Sequence, residues 1–233
     1  MRRLVIFSGA GMSAESGLRT FRESDGLWEE YDIHEVATPE AWRANPKLVL
    51  EFYNMRRKQV IEAQPNPAHE ALVRLEEKFD VQVVTQNIDD LHERAGSKKV
   101  LHLHGEVVKC RPDDDSEGLF PVEKDLELGD LAPNGVQLRP HVVWFGEEVP
   151  EMPNAIEIMR RAHIVLIIGT SLNVYPAAGL IHYAPKYADY ILVDPNEVRQ
   201  PDLKNLRIIK ARATDAIPSL VDELLKLADV EKV

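Results

Sequence analysis

Four short apolar runs, at residues 4–7, 81–84, 164–168 and 190–193, constrain the fold of this chain more than any other feature. Gln82 is the only polar residue in these four runs, and apolar runs of this length are typical of strands that are buried on both faces of a sheet. Stretches with helical spacing of apolar residues separate the runs. Strands that alternate with helices form parallel sheets, because the crossover helices cover both faces. The sequence therefore predicts an α/β fold built on a parallel sheet.

The helices between these runs have recognisable starts and apolar faces. Residues 47–63 and residues 215–227 carry apolar side chains at helical spacing. A further helix is predicted to begin at Asn66 and Pro67, since Asn caps helices and Pro suits the first helical position. We also expect a short helix over residues 89–95, a helix from Pro176 and a strand over residues 207–209.

Residues 105–140 differ from the rest of the chain, since prolines and glycines interrupt them and they show neither helical nor strand periodicity. We interpret this stretch as a small module outside the main sheet. The 233 residues, 44% of them hydrophobic, are enough for one sizeable core with such a module appended. The apolar residues expected to hold the module together are Leu119, Phe120, Val122, Leu126, Leu128, Leu131 and Leu138.

A glycine-rich turn, with Gly9, Gly11 and Gly17, follows the first predicted strand. It lies at the carboxyl edge of a parallel sheet, where ligands bind in α/β proteins. Glycines let the backbone approach a pyrophosphate, and a helix N-terminus offers free N–H groups to it. The third glycine comes too late for the G-x-G-x-x-G spacing. A turn with incidental glycines is therefore the alternative interpretation.

Five runs along the chain carry distinctive motifs, namely GAGMSAESGLRTFR at residues 9–22, TQNIDDLH at 85–92, LHGE at 103–106, RPHVVWFGE at 139–147 and GTSLNVYP at 169–176. In family order, they resemble the signatures of the sirtuins. The resemblance implies an NAD-dependent protein-lysine deacylase that binds NAD and the acyl-lysine in a cleft between two domains. Its products would be nicotinamide, free lysine and an O-acyl-ADP-ribose.

The same resemblance implies how the chain is divided. A discontinuous Rossmann-type NAD-binding domain, with helices on both faces of its sheet, would comprise residues 1–22, 79–104 and 147–233. A smaller domain would be made from two insertions, residues 23–78 and 105–146. The first of these is helical, and the second resembles a degenerate remnant of a zinc module.

His104 is the catalytic residue that the resemblance implies, because it precedes Gly-Glu as the family's histidine does. Its imidazole can take a proton near neutral pH and would activate a ribose hydroxyl. His102 competes for this role, since residues two apart on a strand share a face. Asn87, the second residue expected to be catalytic, would face the nicotinamide ribose, and Asp89 would accept from the carboxamide NH₂ of nicotinamide. The alternative for Asn87 and Asp89 is that they cap a helix.

The remaining ligand contacts are also implied by the resemblance. Sirtuins usually carry Asn where this chain has Asp194, a carboxylate that would accept both ribose hydroxyls and repel a 2′-phosphate. The substrate-binding residues would be Val143, Trp144, Phe145 and Gly146. The full set of expected NAD-binding residues is Gly9, Ala10, Gly11, Ser13, Ala14, Gly17, Phe21, Arg22, Gln86, Asn87, Ile88, Asp89, Gly169, Thr170, Ser171, Asp194, Asn196 and Ala213.

The chain departs from most sirtuins in its metal ligands. Most bind a structural zinc ion through two cysteine pairs, but the only cysteine here is Cys110. One thiolate cannot build such a site, so we expect no zinc and no other metal. The carboxylates at residues 113–115 and Glu117 leave a mixed Cys/carboxylate site as the alternative, although acidic runs are usually solvated loops.

Tyr53 and Arg56 are three residues apart and so share one face of the predicted helix over residues 47–63. They resemble the Tyr-x-x-Arg pair of the sirtuin branch that removes succinyl and malonyl groups. A guanidinium binds a carboxylate bidentately, and a phenol adds a donor. We therefore expect activity on succinyl- and malonyl-lysine as well as on acetyl-lysine. The alternative is an amphipathic helix with surface cations, as we expect Arg57 and Lys58 to be.

The net charge of −11 argues against a nucleic-acid surface, and no stretch is long and apolar enough to span a membrane. No signal peptide is evident, so we expect a cytoplasmic protein whose partners are acylated-lysine proteins or peptides. The oligomeric state stays open. A mono-ADP-ribosyltransferase and a non-catalytic binder of NAD or ADP-ribose are the alternative functions. A Rossmann oxidoreductase is disfavoured by the glycine spacing and by the lack of an early acidic residue.

Overall fold

A six-stranded parallel sheet forms the centre of the protein in the computed structural model, which describes residues 1–19, 31–114, 116–196 and 202–230. The strand order is β3-β2-β1-β7-β8-β9. The α/β prediction and its parallel sheet are confirmed. The strands of this sheet are β1 (Arg3–Ser8), β2 (Asp80–Thr85), β3 (Val100–His102), β7 (Ile164–Ile168), β8 (Asp189–Val193) and β9 (Leu206–Ile209).

Helices cover both faces of this sheet, and alternate side chains of β1 pack against the helices on opposite faces. Leu4 and Ile6 pack in one cluster with the helices Pro67–Arg74 and Ala213–Val230. Val5 and Phe7 pack in another cluster with the helix Met152–Met159 and the 3-10 helix Ala177–Tyr183. The helices of the protein are α1 (Ile33–Val36), α2 (Pro39–Ala44), α3 (Pro46–Glu62), α4 (Pro67–Arg74), α5 (Leu91–Ala95), α6 (Met152–Met159) and α7 (Ala213–Val230).

The predicted start of helix α4 is confirmed. The Asn66 side chain accepts hydrogen bonds from the N–H groups of Ala68 and His69, and Pro67 occupies the first turn. The domain boundary that the sequence predicts at residue 78 assigns helix α4 to the smaller domain. In the structure, the buried residues Ala71 and Leu72 of α4 pack with the core of the main sheet.

Residues 105–142 contain a second, antiparallel sheet of three strands, ordered β5-β4-β6. The strands are β4 (Gly105–Pro112), β5 (Phe120–Pro121) and β6 (Leu138–Val142). The stretch lies outside the main sheet, but its description as lacking strands was wrong. A register shift between Gly105 and Cys110 interrupts the pairing of β4 with β6, and β5 has two residues, so the period-two signal is lost.

This small sheet shares an apolar cluster with helices α1, α2 and α3. Leu126 is buried in the cluster, and Phe120, Val122 and Leu138 pack against it. Three of the leucines expected to stabilise this module are instead about half exposed, namely Leu119, Leu128 and Leu131. Leu128 lies in a turn, and Leu131 forms an isolated β-bridge with Gln137.

Polar side chains of helix α3 bind the loop between β5 and β6. Asn54 donates to the carbonyl oxygen of Leu126 over 2.9 Å and accepts from the Leu126 N–H over 3.0 Å. Arg57 donates to Asn54 over 2.6 Å and to the carbonyl oxygen of Lys124 over 3.2 Å. The expectation that Arg57 lies on the surface was wrong, since the residue is only 2% exposed. Lys58 is exposed, as expected.

Within the described residues, none of the helices is both long and apolar enough to cross a membrane.

Candidate active site

A cavity of about 680 Å³ lies where the carboxyl ends of β1, β2, β7 and β8 meet the small sheet and helix α3. Its size is in the range of roughly 300–1,000 Å³ that small-molecule and cofactor sites have. One part is lined by the turns that follow the main strands, and the other by α3 and residues 142–147. The cavity therefore joins the two regions in which the sequence predicts ligand contacts.

The glycine turn after β1 is in direct backbone contact with the turn after β7. Gly9 N donates to the Ile168 carbonyl over 3.0 Å, and Gly11 N donates to the Gly169 carbonyl over 2.9 Å. A Cβ atom on Gly11 would lie 2.7 Å from the Gly169 Cα, closer than such atoms can approach. Gly9 and Gly11 are therefore required by the contact between the turns, and are not incidental. Gly17, with φ of 87°, ends a short 3-10 turn away from the cavity.

The loop after β2 carries several polar groups of the site. Asn87 donates from its side chain to Ser13 Oγ over 3.1 Å, and its N–H donates to Thr85 Oγ1 over 3.1 Å. Gln86 Nε2 donates to Thr170 Oγ1 over 3.0 Å, which connects the loop to the turn after β7. These bonds hold amide side chains at the edge of the sheet, where they line the cavity.

Asp89 lies in a smaller cavity of about 40 Å³, which adjoins the first and shares Asn87 and Arg56 with it. Its Oδ1 accepts from the Leu91 N–H in the first turn of α5, but the residue at the N-cap of this helix is Asp90, which makes no side-chain capping bond. The Asp89 carboxylate is only 5% exposed, and burial raises its pKa. Asp89 therefore contacts the first turn of α5 from a position that also lines the smaller cavity.

His104 lines the main cavity and hydrogen-bonds through Nδ1 to the carbonyl oxygen of Gln86 over 3.0 Å. A carbonyl only accepts, so Nδ1 carries the proton and Nε2 of the neutral ring is the basic atom. Burial lowers the pKa of His104 below 6.5, against an opposite effect of the Gln86 bond. His102 is not among the residues that line either cavity.

Helix α3 directs Tyr53 and Arg56 into the main cavity, and each is only 4% exposed. Arg56 Nη1 donates to Gln59 Oε1 over 2.8 Å. Burial lowers the pKa of Arg56 to about 10, and the negative charge of Asp89 acts in the opposite direction. Burial also raises the pKa of Tyr53. The alternative interpretation, in which Arg56 is a surface cation, is therefore wrong, because Arg56 is a buried cation that faces a cavity.

Residues 142–147 are fixed from two sides. Val143 N donates to the His104 carbonyl, and Phe145 N donates to the Ala37 carbonyl, both over 3.0 Å. Glu147 accepts from the Trp144 N–H over 2.7 Å and binds Arg139 through both carboxylate oxygens. The Arg139 guanidinium also lies over the Trp144 ring, 3.3 Å from its centroid.

Most of the predicted site residues that the structure describes line the main cavity. They are Gly9, Ala10, Gly11, Ala14, Tyr53, Arg56, Gln86, Asn87, Ile88, His104, Val143, Trp144, Phe145, Gly146, Gly169, Thr170, Ser171, Asp194, Asn196 and Ala213. Ser13 and Asp89 line the smaller cavity. Phe21 and Arg22 lie outside the described residues.

The sequence did not single out several other residues that line the main cavity. Glu147 and residues 174–176 belong to the runs already quoted, so the sequence contained a signal for them. Ile33 and Ala37 had no such signal, because they come from the helical insertion and meet the site only in the folded chain. The other missed residues are Glu15, Phe52, Val142, Val149, Val193, Pro195 and Arg212.

Among the described residues, Glu93, His102 and Glu106 have metal-ligand atoms within 4.8 Å of one another. Hydrogen bonds already engage them: His102 Nε2 is 2.8 Å from Glu93 Oε1, and Lys109 donates to Glu106 over 2.6 Å. We assign the group to an ion-pair network and not to a metal centre. Cys110 is buried, and burial raises the pKa of its thiol.

Comparisons with known proteins agree on one family. A model described as the Sir2 family matches residues 9–176. A Helicobacter pylori protein named NAD-dependent protein deacylase is 51% identical over 228 residues, which are 98% of this chain and 100% of the relative. A solved mutant of a Sir2 homologue with ADP ribose has a TM-score of 0.89 and 37% identity, covering 97% of this chain and 93% of the other. A Sir2 homologue with NAD has a TM-score of 0.85 and 37% identity, covering 97% and 90%.

Proposed function

This chain belongs to the Sir2 family and is an NAD-dependent protein deacylase, and from that premise we propose that it acts best on lysine side chains whose acyl group ends in a carboxylate. Succinyl- and malonyl-lysine are the simplest such substrates. The observation that carries the proposal is the buried guanidinium of Arg56, which faces the cavity beside the Tyr53 hydroxyl.

The residues at the sheet edge fit NAD by their chemistry. Bound NAD supplies the ADP-ribosyl group that accepts the acyl group, and nicotinamide leaves. We assign the pyrophosphate to the turns around Gly9 and Gly169, which line the cavity and have no side chain between their backbone and a ligand. Asp194 and Asn196 offer polar groups at the end of β8 for the adenosine ribose, and Asn87 offers an amide for the other ribose.

His104 is the residue that we propose as the base. Its Nδ1–H is held by the Gln86 carbonyl, so Nε2 is the atom that takes a proton from a ribose hydroxyl. The lowered pKa keeps the ring neutral at pH 7, which is the form that accepts a proton. The hydrogen bond from the Val143 N–H to the His104 carbonyl connects the proposed base to the proposed substrate-binding segment.

Arg56 decides the acyl class in this proposal. A pKa of about 10 leaves its guanidinium charged at neutral pH, although the residue is only 4% exposed. A guanidinium and an acyl carboxylate can form two parallel charged hydrogen bonds, which are stronger than hydrogen bonds between neutral groups. An acetyl group offers no such partner. The Tyr53 hydroxyl stays protonated because burial raises its pKa, and it remains a donor.

Nicotinamide release from NAD tests this function directly. Wild-type protein is incubated with one peptide sequence carrying acetyl-, succinyl- or malonyl-lysine, and with the unmodified peptide as the control. We expect release that depends on acylation and is fastest with the acidic acyl groups. Transfer of labelled ADP-ribose to protein, without deacylation, would instead indicate a mono-ADP-ribosyltransferase. NAD binding without any turnover would indicate a non-catalytic protein.

We also propose that the protein carries no structural zinc. The proposal rests on the single cysteine and on the contacts that Asn54 and Arg57 make with the loop of the small sheet. We expect elemental analysis to find less than stoichiometric zinc, and a chelator to leave the melting temperature unchanged. About one zinc ion per chain would contradict this and favour the mixed Cys/carboxylate site.

A further inference from the structure

Two histidines, His102 and His104, bind consecutive carbonyl groups of the loop after β2. His104 Nδ1 is 3.0 Å from the Gln86 oxygen, and His102 Nδ1 is 3.0 Å from the Asn87 oxygen. The proposed function uses His104 and leaves His102 without a role. The ring of His102 nevertheless touches the main chain of Asn87, whose side chain lines the cavity.

The partners of His102 determine its protonation state. Nδ1 faces a carbonyl and Nε2 faces Glu93 Oε1 at 2.8 Å, and both of these groups only accept hydrogen bonds. Both ring nitrogens must therefore carry a proton for both bonds to form, which makes the ring an imidazolium. The side chain is 7% exposed, so solvent does little to replace either partner.

We propose that His102, held as an imidazolium by Glu93, is a positioning residue that fixes the Asn87 backbone for NAD binding and loses this hold when it deprotonates. The proposal rests on the proposed function, because it gives Asn87 its place beside the ligand. Three hydrogen bonds hold Asn87 in place. Its N–H donates to Thr85, its side chain donates to Ser13, and its carbonyl accepts from His102. His102 provides the only one of the three that carries a titratable charge.

The charges around the ring set the direction of the effect. Burial lowers the pKa of His102, but the hydrogen bond and the charge of Glu93, with the Asn87 carbonyl and Glu106, raise it overall above 6.5. Lys109 binds Glu106 over 2.6 Å and so weakens the contribution of Glu106. The other titratable groups that interact with the ring are Asp89, His92 and His141.

The sign of the pH dependence follows from this. Below its raised pKa His102 is charged and makes both bonds. As the pH rises through that pKa the ring keeps one N–H, so either the Asn87 carbonyl or Glu93 loses its donor. NAD affinity is therefore expected to weaken with rising pH, on the alkaline side of 6.5.

An NMR titration of the histidine rings in the ligand-free protein tests the charge itself. The His102 signal is identified by its absence from His102→Gln. We expect it to titrate above 6.5 in the wild type and at a clearly lower pH in Glu93→Gln. Glu106→Gln is the matched control, since Glu106 acts without a direct bond and its loss should shift the titration less. An unchanged His102 titration in Glu93→Gln would overturn the proposal.

NAD affinity measured between pH 6 and 9 tests the positioning role. We expect His102→Gln to bind NAD about tenfold more weakly than wild type at the acidic end, which is the size of one charged hydrogen bond. Its affinity should then stay flat where that of the wild type falls. His182→Gln, at an exposed histidine, should follow the wild-type curve. Melting temperatures at each pH confirm that the variants are folded.

A His102→Gln curve with the wild-type shape would mean that His102 is only structural. The outcomes also separate this inference from the proposed function. If the protein binds NAD with the expected pH dependence but deacylates no peptide, the function is wrong and the inference stands. If deacylation occurs and the pH dependence persists in His102→Gln, the inference is wrong and the function stands.

Discussion

The edge of the six-stranded sheet is stabilised by one kind of contact, and the small antiparallel sheet by another. At the edge, backbone binds backbone: the turn after β1 contacts the turn at Gly169, and a side chain on Gly11 would prevent it. Around the small sheet, side chains bind backbone: Asn54 and Arg57 reach from helix α3 to the loop between β5 and β6. Gln137 also donates to three carbonyl groups there.

This difference separates the two halves of the proposed site. The half assigned to NAD depends on the backbone contact between two turns, which glycines permit, and on hydrogen bonds such as those of Asn87 with Ser13 and Gln86 with Thr170. The half assigned to the acyl group depends on a few buried polar side chains of one helix. Substitutions in α3 are therefore expected to change acyl selectivity or local stability, whereas substitutions at the sheet edge are expected to abolish activity.

The largest expected effect is at the sheet edge, at His104. We expect His104→Ala to lower the deacylation rate by about 10²–10⁴-fold, the usual cost of losing a general base. NAD binding should survive, because the anchors of Asn87 at Ser13 and Thr85 do not involve this ring. Steady-state kinetics and NAD titration measure the two effects separately. Near-full turnover in His104→Ala, with loss in His102→Ala, would reverse the roles of the two histidines.

A glycine comparison tests the contrast in contacts more directly. Gly169 and Gly135 both have positive φ, 59° and 84°, but only Gly169 is packed against a backbone. We expect Gly169→Ala to lower the free energy of unfolding by about 2–5 kcal/mol, since strain and collision add. Gly135→Ala should cost about 1–2 kcal/mol, from strain alone. Equal losses in urea unfolding would show that the contact between the turns is not tight.

Arg57→Met tests the side-chain contacts around the small sheet. The guanidinium is buried and donates to Asn54 and to the Lys124 carbonyl, which lose a donor in the variant. We expect the free energy of unfolding to fall by about 1–3 kcal/mol. NAD affinity should not change, since the contact lies outside the sheet edge. A clear loss of NAD affinity in Arg57→Met would mean that the two regions are coupled.

The sequence predicts these two regions unequally, for a physical reason. Four strands of the main sheet contain apolar runs, and loops that line the cavity follow them directly, so residues such as Gln86 and Asn87 could be placed. The small sheet has no such signal, because its strands are short and β4 contains a register shift. Arg57 was misplaced because its partner Lys124 is 67 residues away in the sequence. Local periodicity contains no information about such contacts.

Helix α3 shows how the two kinds of information combine. The i, i+3 spacing of Tyr53 and Arg56 predicts that they share a face, and both face the cavity. The same spacing relates Asn54 and Arg57, which share the face turned to the small sheet. Spacing therefore identified the pair of Tyr53 and Arg56, but only the fold shows which face of the helix meets the cavity and that Asn54 and Arg57 pair on another.

The central claim is that Arg56 sets the acyl class, and a competition assay measures it most directly. Acetyl- and succinyl-lysine peptides of the same sequence are mixed in equal amounts with NAD and enzyme in one reaction. Mass spectrometry then gives the ratio of the two initial rates of deacylation. This ratio does not depend on how much of the enzyme is folded, so Arg57→Met serves as the matched control. We expect the wild type and Arg57→Met to prefer the succinyl peptide by about ten- to a hundredfold. Arg56→Met should lose that preference by slowing only on the succinyl peptide. A wild-type preference for acetyl-lysine, or an unchanged ratio in Arg56→Met, would contradict the account.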